Sequence, residues 1–267
     1  AYSHHYGIGL IRPFITAHLR RFHNRADTTL VPTRALAGSL QQQGYRNVGL
    51  MSRGVDIRLF QPARRSAYLR EQWQVADDAL VVSYIGRIAA EKNIGLVLSA
   101  FAEIARQRPD SRLLFVGDGP MLAELMRRHP EHIYAGMRRG EDLAAHYASA
   151  DLFLFPSLTE TFGNVTSEAL ASGLGVVAYN CAAAAELIED GHNGFLAAPD
   201  DVSDFIQSAL RLAADPVLMS RVRMRAAASV SRLDWNTVHD EFAATLRRVI
   251  DTHERKRLVR DALVTAD

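Results

Sequence analysis

Six short apolar segments between residues 80 and 198 constrain the fold more than any other feature of this sequence. They are residues 80–86, 112–117, 133–137, 152–157, 175–179 and 194–198. Continuous apolar runs of this length are typical of strands in a parallel sheet that helices cover on both faces. Because amphipathic stretches separate them, the pattern predicts an α/β fold with a Rossmann-like, doubly wound parallel sheet.

The intervening helices have recognisable boundaries. In residues 93–108 an apolar stripe of Val97, Phe101 and Ile104 predicts a helix that Pro109 ends. The motif "GDGP" places Pro120 where we expect the first position of the next helix. A further helix is expected to begin near Asn164.

Regions on either side of this core differ from it. Residues 26–52 contain two more strand-like segments around the helical stretch "RALAGSLQQQG", and the tail from residue 235 has Val238, Phe242 and Leu246 on one helical face. We therefore divide the chain into residues 1–52, 53–234 and 235–267. Since the chain opens without an initiator Met or a signal pattern, we treat it as a fragment of a longer protein.

The composition excludes several classes of protein. With 48% hydrophobic and 23% charged residues, the chain is typical of a folded domain. No apolar run approaches the roughly 20 residues of a membrane span. Cys181 is the only cysteine, which excludes an internal disulfide, favours the cytoplasm and predicts a half-buried side chain. A net charge of +1 gives no reason to expect nucleic acid binding.

The stretch "RPFITAHLRRFHNR" combines apolar residues such as Phe14 and Leu19 with basic ones such as Arg20 and Arg21. Two interpretations remain open. The helix packs on a part of the protein outside this chain, or it rests on an anionic membrane surface.

Charged residues follow the strands where ligands bind in such sheets. Arg87 and Lys92 lie in "GRIAAEKN" after the first of the six strands, and together they would bind a diphosphate. After the next strand, Gly117 and Gly119 of "GDGP" would let the backbone approach a ligand, although this is also ordinary turn chemistry.

The stretch "ETFGNVTSEAL" adds two acids around a predicted helix N-terminus. Free amides there attract anions. Glu160 and Glu168 are poor partners for phosphate, but each can accept hydrogen bonds from vicinal hydroxyls. A nucleotide sugar would satisfy all four charged residues at one site. Alternatively, Glu160 caps a turn and Glu168 simply favours the start of a helix.

Three motifs together resemble the family-4 retaining glycosyltransferases of the GT-B fold. They are "GRIAAEKN", "GDGP" and "PSLTETFGNVTSEALASGL", and Glu160 and Glu168 match the spacing of Glu, seven residues, Glu. The stretches "NRADTTLVPT" and "RGVDIRLFQP" are similar to the branch of GDP-mannose-dependent α-mannosyltransferases and sulfolipid-type glycosyltransferases. In such a fold, residues 53–234 would be the donor domain and 1–52 the end of the acceptor domain, with the C-terminal helices packing back toward the latter.

The resemblance implies a role for each matching residue. Arg87 and Lys92 would hold the donor diphosphate, Glu168 the ribose hydroxyls and Glu160 the transferred sugar, with Glu160, Arg87 and Lys92 as the catalytic set. The remaining donor-binding residues would be Phe162, Gly163, Asn164, Thr166, Gly117, Met137 and Leu143, with residues 137–143 near the base.

The resemblance also implies the reaction. A hexose, with GDP-mannose favoured as donor, would pass with retained configuration to a lipid or glycan acceptor, without a metal or a cofactor. The fragment alone is expected to be inactive. The protein is expected in the cytoplasm or at the inner face of the membrane. His4 and His5 are interpreted as surface or packing residues rather than acceptor-side histidines, and Glu186 lies in a loop that departs from the family pattern.

Two other functions remain as alternatives. One is a nucleotide-sugar-binding module without turnover, and the other is a sugar-nucleotide epimerase. The sequence does not distinguish guanine from uracil as the base, and it does not identify the acceptor.

Overall fold

The computed structural model describes residues 12–264, with side chains from residue 13 to residue 255. His4 and His5 lie outside the described residues. Packing of the Cα atoms divides the chain into two compact units, residues 55–234 and residues 1–54 with 235–267. Each unit has its own parallel sheet.

In chain order, the strands are β1 (Thr29–Val31), β2 (Val48–Leu50), β3 (Val81–Ile85), β4 (Arg112–Val116), β5 (Ile133–Gly136), β6 (Leu152–Phe155), β7 (Gly175–Tyr179) and β8 (Phe195–Ala197). The helices are α1 (Arg12–His23), α2 (Arg34–Gln42), α3 (Ala67–Gln72), α4 (Ile94–Gln107), α5 (Leu122–Arg128), α6 (Gly140–Ser149), α7 (Asn164–Ala171), α8 (Ala182–Leu187), α9 (Val202–Ala214), α10 (Pro216–Ser229) and α11 (Trp235–Val264).

The larger unit is built on one parallel sheet with the strand order β5-β4-β3-β6-β7-β8. Each of its strands lies within one of the six apolar segments. The chain proceeds from β3 outward to β5 and then returns to the other side of β3 with β6, so the order reverses between β3 and β6. This reversal confirms the predicted doubly wound α/β sheet. Such a sheet binds ligands at the carboxyl ends of its strands, where the order reverses.

Every residue of β3, β6 and β7 is buried, which indicates that helices cover both faces of this sheet. The predicted stripe of α4 is confirmed, since Val97, Phe101 and Ile104 are all buried. The prediction that Pro120 occupies the first position of the next helix is wrong. The turn after β4 continues through two more hydrogen bonds, from Met121 N to Ile88 O and from Leu122 N to Gly119 O, and α5 therefore starts at Leu122.

The smaller unit contains the two predicted strand segments as the parallel pair β1 and β2, connected through α2. Thr33 caps α2 by accepting a hydrogen bond from Leu36 N at 3.2 Å. The tail is the single long helix α11, on which Val238 is buried while Phe242 and Leu246 are exposed. Within the described range, no helix combines the length and the apolar character that crossing a membrane requires.

Candidate functional site

The turns after β3 and β4 pack against each other at the carboxyl edge of the sheet. Ile88 N donates to Asp118 O at 2.9 Å, and the approach is so close that a Cβ on Gly117 would lie 1.9 Å from Gly86 O. A Cβ on Gly119 would lie 2.2 Å from Ile88 O. Contact between the two turns therefore requires both glycines, whether or not a ligand approaches them.

A cavity of about 470 Å³ opens at this edge. Its volume lies in the usual range of ligand sites, about 300 to 1,000 Å³. Six residues predicted from the sequence line it, namely Arg87, Gly117, Gly119, Met137, Leu143 and Glu168. Residues of the turns after β3, β4 and β5 and of helices α6 and α7 therefore meet around one space.

Glu168 extends from α7 into the wall of this cavity and is mostly buried. Its Oε2 accepts a hydrogen bond from the hydroxyl of Tyr147 at 2.9 Å. Burial raises the pKa of Glu168, and the hydrogen bond from Tyr147 partly opposes the rise. Within the described residues no donor contacts Oε1, so this oxygen can accept hydrogen bonds from a ligand.

Arg87 lies at the mouth of the cavity with its side chain 65% exposed. Its Nη1 is 3.5 Å from Glu91 Oε1, and an exposed ion pair of this kind holds the guanidinium only weakly. The backbone is better fixed, because the Tyr84 hydroxyl donates a hydrogen bond to Arg87 O at 2.8 Å. The charge is therefore available to an anion, on a well-positioned stretch of chain.

Lys92 and Glu160 contact each other instead of lining the cavity. Lys92 Nζ lies 2.5 Å from Glu160 Oε1, and Ser157 Oγ donates to the same oxygen at 3.0 Å. Lys92 lies in the turn after β3 and Glu160 in the turn after β6, which are neighbouring strands, so the two opposite charges meet. The expectation that all four charged residues share one space is thus only half met, by Arg87 and Glu168.

The N-terminus of α7 follows Glu160 directly. Gly163 has φ +91°, and a Cβ there would lie 3.3 Å from Glu160 Cγ, which makes any other residue strained. Among the described residues, no side chain caps this helix, which begins at Asn164 as predicted. Phe162 and Thr166 are buried beside Glu160 around a space of only about 10 Å³, so a ligand here would meet backbone rather than these side chains.

Comparison with known proteins identifies the family. Residues 79–215, which include every predicted site residue, match the family described as glycosyl transferases group 1. The chain belongs to the group 1 glycosyl transferases. The predicted glycosyltransferase family is thereby confirmed, and the turns that surround the cavity all lie within the matching residues.

Relatives of this chain include the GDP-mannose-dependent alpha-mannosyltransferase of Mycobacterium tuberculosis. It is 34% identical over 245 residues, which are 89% of this chain and 61% of the relative. The sulfoquinovosyl transferase SQD2 of Arabidopsis thaliana is 32% identical over 236 residues, 85% of this chain and 45% of the relative. The chain thus spans less than two thirds of the length of these proteins.

Solved structures agree with the fold of this chain. Anabaena HepE in complex with UDP and glucose has a TM-score of 0.74 at 26% identity, covering 87% of this chain and 66% of HepE. Sucrose-phosphate synthase from Thermosynechococcus elongatus has a TM-score of 0.77 at 23% identity, covering 89% of this chain and 62% of the synthase chain. Both alignments cover a larger share of this chain than of the solved structure.

Among the residues that line this cavity, Val165, Arg138 and Tyr147 were not individually predicted from the sequence. Arg138 lies within the segment 137–143 that was expected near the base, and Val165 lies between the predicted Asn164 and Thr166, so proximity was the available signal. Tyr147 lies in the last turn of α6, at what looks like an ordinary apolar position, and only the tertiary contact shows its relation to Glu168.

Two residues that follow β7 do not line the cavity. Cys181 is half-buried as predicted, with Sγ 3.6 Å from Ser157 O. Glu186, which was expected in a loop, lies in helix α8 instead.

Proposed function

We propose that this chain is the donor-binding part of a retaining glycosyltransferase that moves a hexose from a nucleotide diphosphate sugar, with GDP-mannose favoured, to a lipid or glycan acceptor. The observation that carries the proposal is the cavity where the strand order reverses, lined by Arg87 and Glu168. GDP-mannose is favoured because three relatives, at 33% to 34% identity, are GDP-mannose-dependent alpha-mannosyltransferases.

The diphosphate would bind between Arg87, Lys92 and the N-terminus of α7. Arg87 has a weakly held guanidinium that suits bidentate contact with phosphate oxygens. The ammonium of Lys92 has three donors, of which Glu160 takes one, so two remain for the ligand. The unpaired amides of α7 add a smaller contribution, on the order of 0.3 to 1 kcal/mol from the helix dipole.

The two acids would bind hydroxyls on either side of the diphosphate. Glu168 would accept from the ribose hydroxyls through Oε1, and Glu160 from the hexose. In the described part of the chain, both donors to Glu160 use Oε1, which leaves Oε2 for a ligand. The base would lie against Met137 and Leu143, which line the same cavity as Glu168.

Catalysis would be electrostatic. As the glycosidic bond breaks, negative charge grows on the leaving diphosphate, and Arg87 and Lys92 would stabilise that charge. Since these groups and a helix N-terminus supply positive charge at one place, we expect transfer that needs no metal and continues in EDTA. A loss of transfer in EDTA that Mg²⁺ restores would contradict this part of the proposal.

Calorimetry with the 267-residue chain tests the donor site. We expect GDP to bind more tightly than UDP, and Arg87→Ala to weaken GDP about tenfold to hundredfold, because a charge-assisted hydrogen bond contributes roughly 1.5 to 3 kcal/mol. Arg128→Ala is a matched control, since Arg128 has a similarly exposed ion pair within α5. Equal GDP affinity in both variants would contradict the assignment of Arg87.

Product analysis separates the proposal from the other two functions. A longer protein containing this chain, incubated with GDP-mannose and candidate acceptors, should form a glycoside with retained configuration. A nucleotide-sugar-binding module would form no product, and an epimerase would change the sugar without any acceptor.

Membrane contact is a further part of the proposal, and α1 supports it. The helix exposes Phe14 and Phe22, at 77% and 65%, next to a cavity lined by Arg20, Arg21, Arg25 and Arg46. Such a surface suits anionic lipid. Vesicles that contain phosphatidylglycerol should bind the chain, and Arg20→Glu with Arg21→Glu should abolish the binding. The control pair is Arg221→Glu with Arg225→Glu on α10, and equal binding by both pairs would contradict membrane contact through α1.

A further inference from the structure

Tyr147 has an unusual environment for a tyrosine. Its side chain is completely buried, yet it lines the cavity proposed to bind the donor. The ring is held by an edge contact with Phe60, at 5.6 Å between centroids and 86° between planes, and by Phe153 at 6.1 Å. Its hydroxyl donates to Glu168 Oε2 at 2.9 Å and, within the described residues, to no other group.

This contact fixes a carboxylate that would otherwise be free to rotate. A glutamate in a helix has several side-chain torsions, and ordering it for a ligand costs conformational entropy at the moment of binding. Because the aromatic ring is fully buried and packs against Phe60 and Phe153, the hydrogen bond orders the carboxylate in advance. It uses one oxygen and, among the described residues, leaves the other without a protein donor.

We propose that Tyr147 is a positioning residue for the donor site, which holds Oε2 of Glu168 so that Oε1 is free to accept hydrogen bonds from the two ribose hydroxyls. This proposal rests on the proposed function, in which Glu168 binds ribose. It goes further by stating which oxygen the ligand uses and which residue determines that choice.

The same hydrogen bond affects the charge of Glu168. Burial raises its pKa, and donation from Tyr147 lowers it again. Ribose hydroxyls are donors, so they bind best to the ionised carboxylate. Tyr147 therefore favours the form of Glu168 that binds ribose, and its removal should raise the pH at which this binding is lost.

The test compares GDP with dideoxy-GDP, which lacks both ribose hydroxyls. In the 267-residue chain we expect Tyr147→Phe to weaken GDP about tenfold, as for one well-placed hydrogen bond to a charged group, and to leave dideoxy-GDP unchanged. Tyr134→Phe is the control. The Tyr134 hydroxyl also donates hydrogen bonds, but its acceptors are Leu125 O and His129 O, and it does not contact Glu168. This substitution should change neither affinity.

Two outcomes would count against different statements. Equal weakening of GDP and dideoxy-GDP by Tyr147→Phe would show a purely structural role and overturn the positioning proposal. If the unaltered chain binds both nucleotides equally, or if Glu168→Gln has no effect on their ratio, the ribose role of Glu168 in the proposed function fails instead.

A graded variant covers the case in which Tyr147→Phe does not fold. Fluorotyrosine and difluorotyrosine at position 147 keep the shape of the ring while making the hydroxyl a progressively stronger donor. We expect the pH at which GDP loses its advantage over dideoxy-GDP to fall along this series. A midpoint that does not move would overturn the proposal.

Discussion

The larger unit has mostly buried carboxylates at both edges of its sheet, and their surroundings are opposite. Asp151, at the amino end of β6, accepts hydrogen bonds from three guanidinium groups and one amide. The donors are Arg65 at 3.0 Å, Arg70 at 3.2 Å, Arg223 at 2.8 Å and Val81 N at 2.9 Å. Glu168, at the carboxyl edge, has one donor from a neutral hydroxyl and a raised pKa.

The two environments distinguish an acid that stabilises the fold from an acid that binds a ligand. Asp151 connects α3, β3 and α10 and has its hydrogen-bonding capacity used within the protein, so it stabilises the fold. Glu168 is buried with less compensation, which is costly unless a ligand contributes. Cavity size does not make the distinction, because a cavity of about 690 Å³ lies beside Asp151 and one of about 470 Å³ beside Glu168.

The largest expected effect is on stability at the amino edge. Asp151→Asn removes the negative charge that faces Arg65, Arg70 and Arg223, and breaking a buried ion pair costs about 3 to 5 kcal/mol. Urea denaturation should show this loss, while GDP affinity of the remaining folded protein is unchanged. The control Asp110→Asn concerns an exposed acid 3.9 Å from Arg108 and should cost less than about 0.5 kcal/mol. Equal costs would contradict the structural role of Asp151.

At the carboxyl edge, the second largest effect should be on binding. Glu168→Gln weakens acceptance from ribose hydroxyls, and we expect GDP affinity to fall by roughly 1.5 to 3 kcal/mol. The free energy of unfolding should be unchanged or higher, because a neutral amide is easier to bury than a carboxylate. Calorimetry measures the GDP affinity and urea denaturation the free energy of unfolding. A loss of stability as large as that of Asp151→Asn would contradict the distinction between a binding and a structural acid.

A smaller loss of stability is expected at the pair of Lys92 and Glu160. Glu160→Gln removes the charge opposite Lys92, whose side chain is 15% exposed, so the cost lies between that of a surface pair and a buried pair, about 1 to 2 kcal/mol. If Glu160 binds the hexose, the unaltered chain should bind GDP-mannose more tightly than GDP, and we expect the variant to lose this advantage. Glu124→Gln, which removes an exposed pair with Arg128 at 2.7 Å, is the control. If the advantage persists, Glu160 does not contact the sugar.

The smallest effect is on the pH dependence of stability. Since the pKa of Glu168 is higher in the folded than in the unfolded protein, the folded state binds more protons between the two values. The contribution of Glu168 to stability is therefore present below its ordinary pKa of 4.5 and is lost as pH rises from there to the raised pKa. The difference in unfolding free energy between the unaltered chain and Glu168→Gln should follow this fall. A difference that is constant with pH would contradict it.

The fold was predictable because its signals are local. Six apolar segments and the α4 stripe indicate a parallel sheet without knowledge of which strands pair. Pro120 shows the limit of such signals. Its preference for a first helical position is real, but tertiary hydrogen bonds to Ile88 extend the turn and delay the helix to Leu122.

The site was predictable only in part, for the same reason. Arg87 and Glu168 could be placed because strand ends and a known motif mark them. The pairing of Lys92 with Glu160, and that of Tyr147 with Glu168, join residues 68 and 21 positions apart, and no local pattern encodes them. Asp151 was missed because its three arginines lie 86, 81 and 72 positions away from it in the sequence.

Hydrogen exchange of the chain with and without GDP distinguishes the two edges of the sheet, because it reports where the nucleotide binds. We predict slower exchange in the turns after β3, β4 and β5 and at the start of α7, with no change around Asp151 and the start of α10. Protection around Asp151, or none at the carboxyl edge with saturating GDP, would contradict the account.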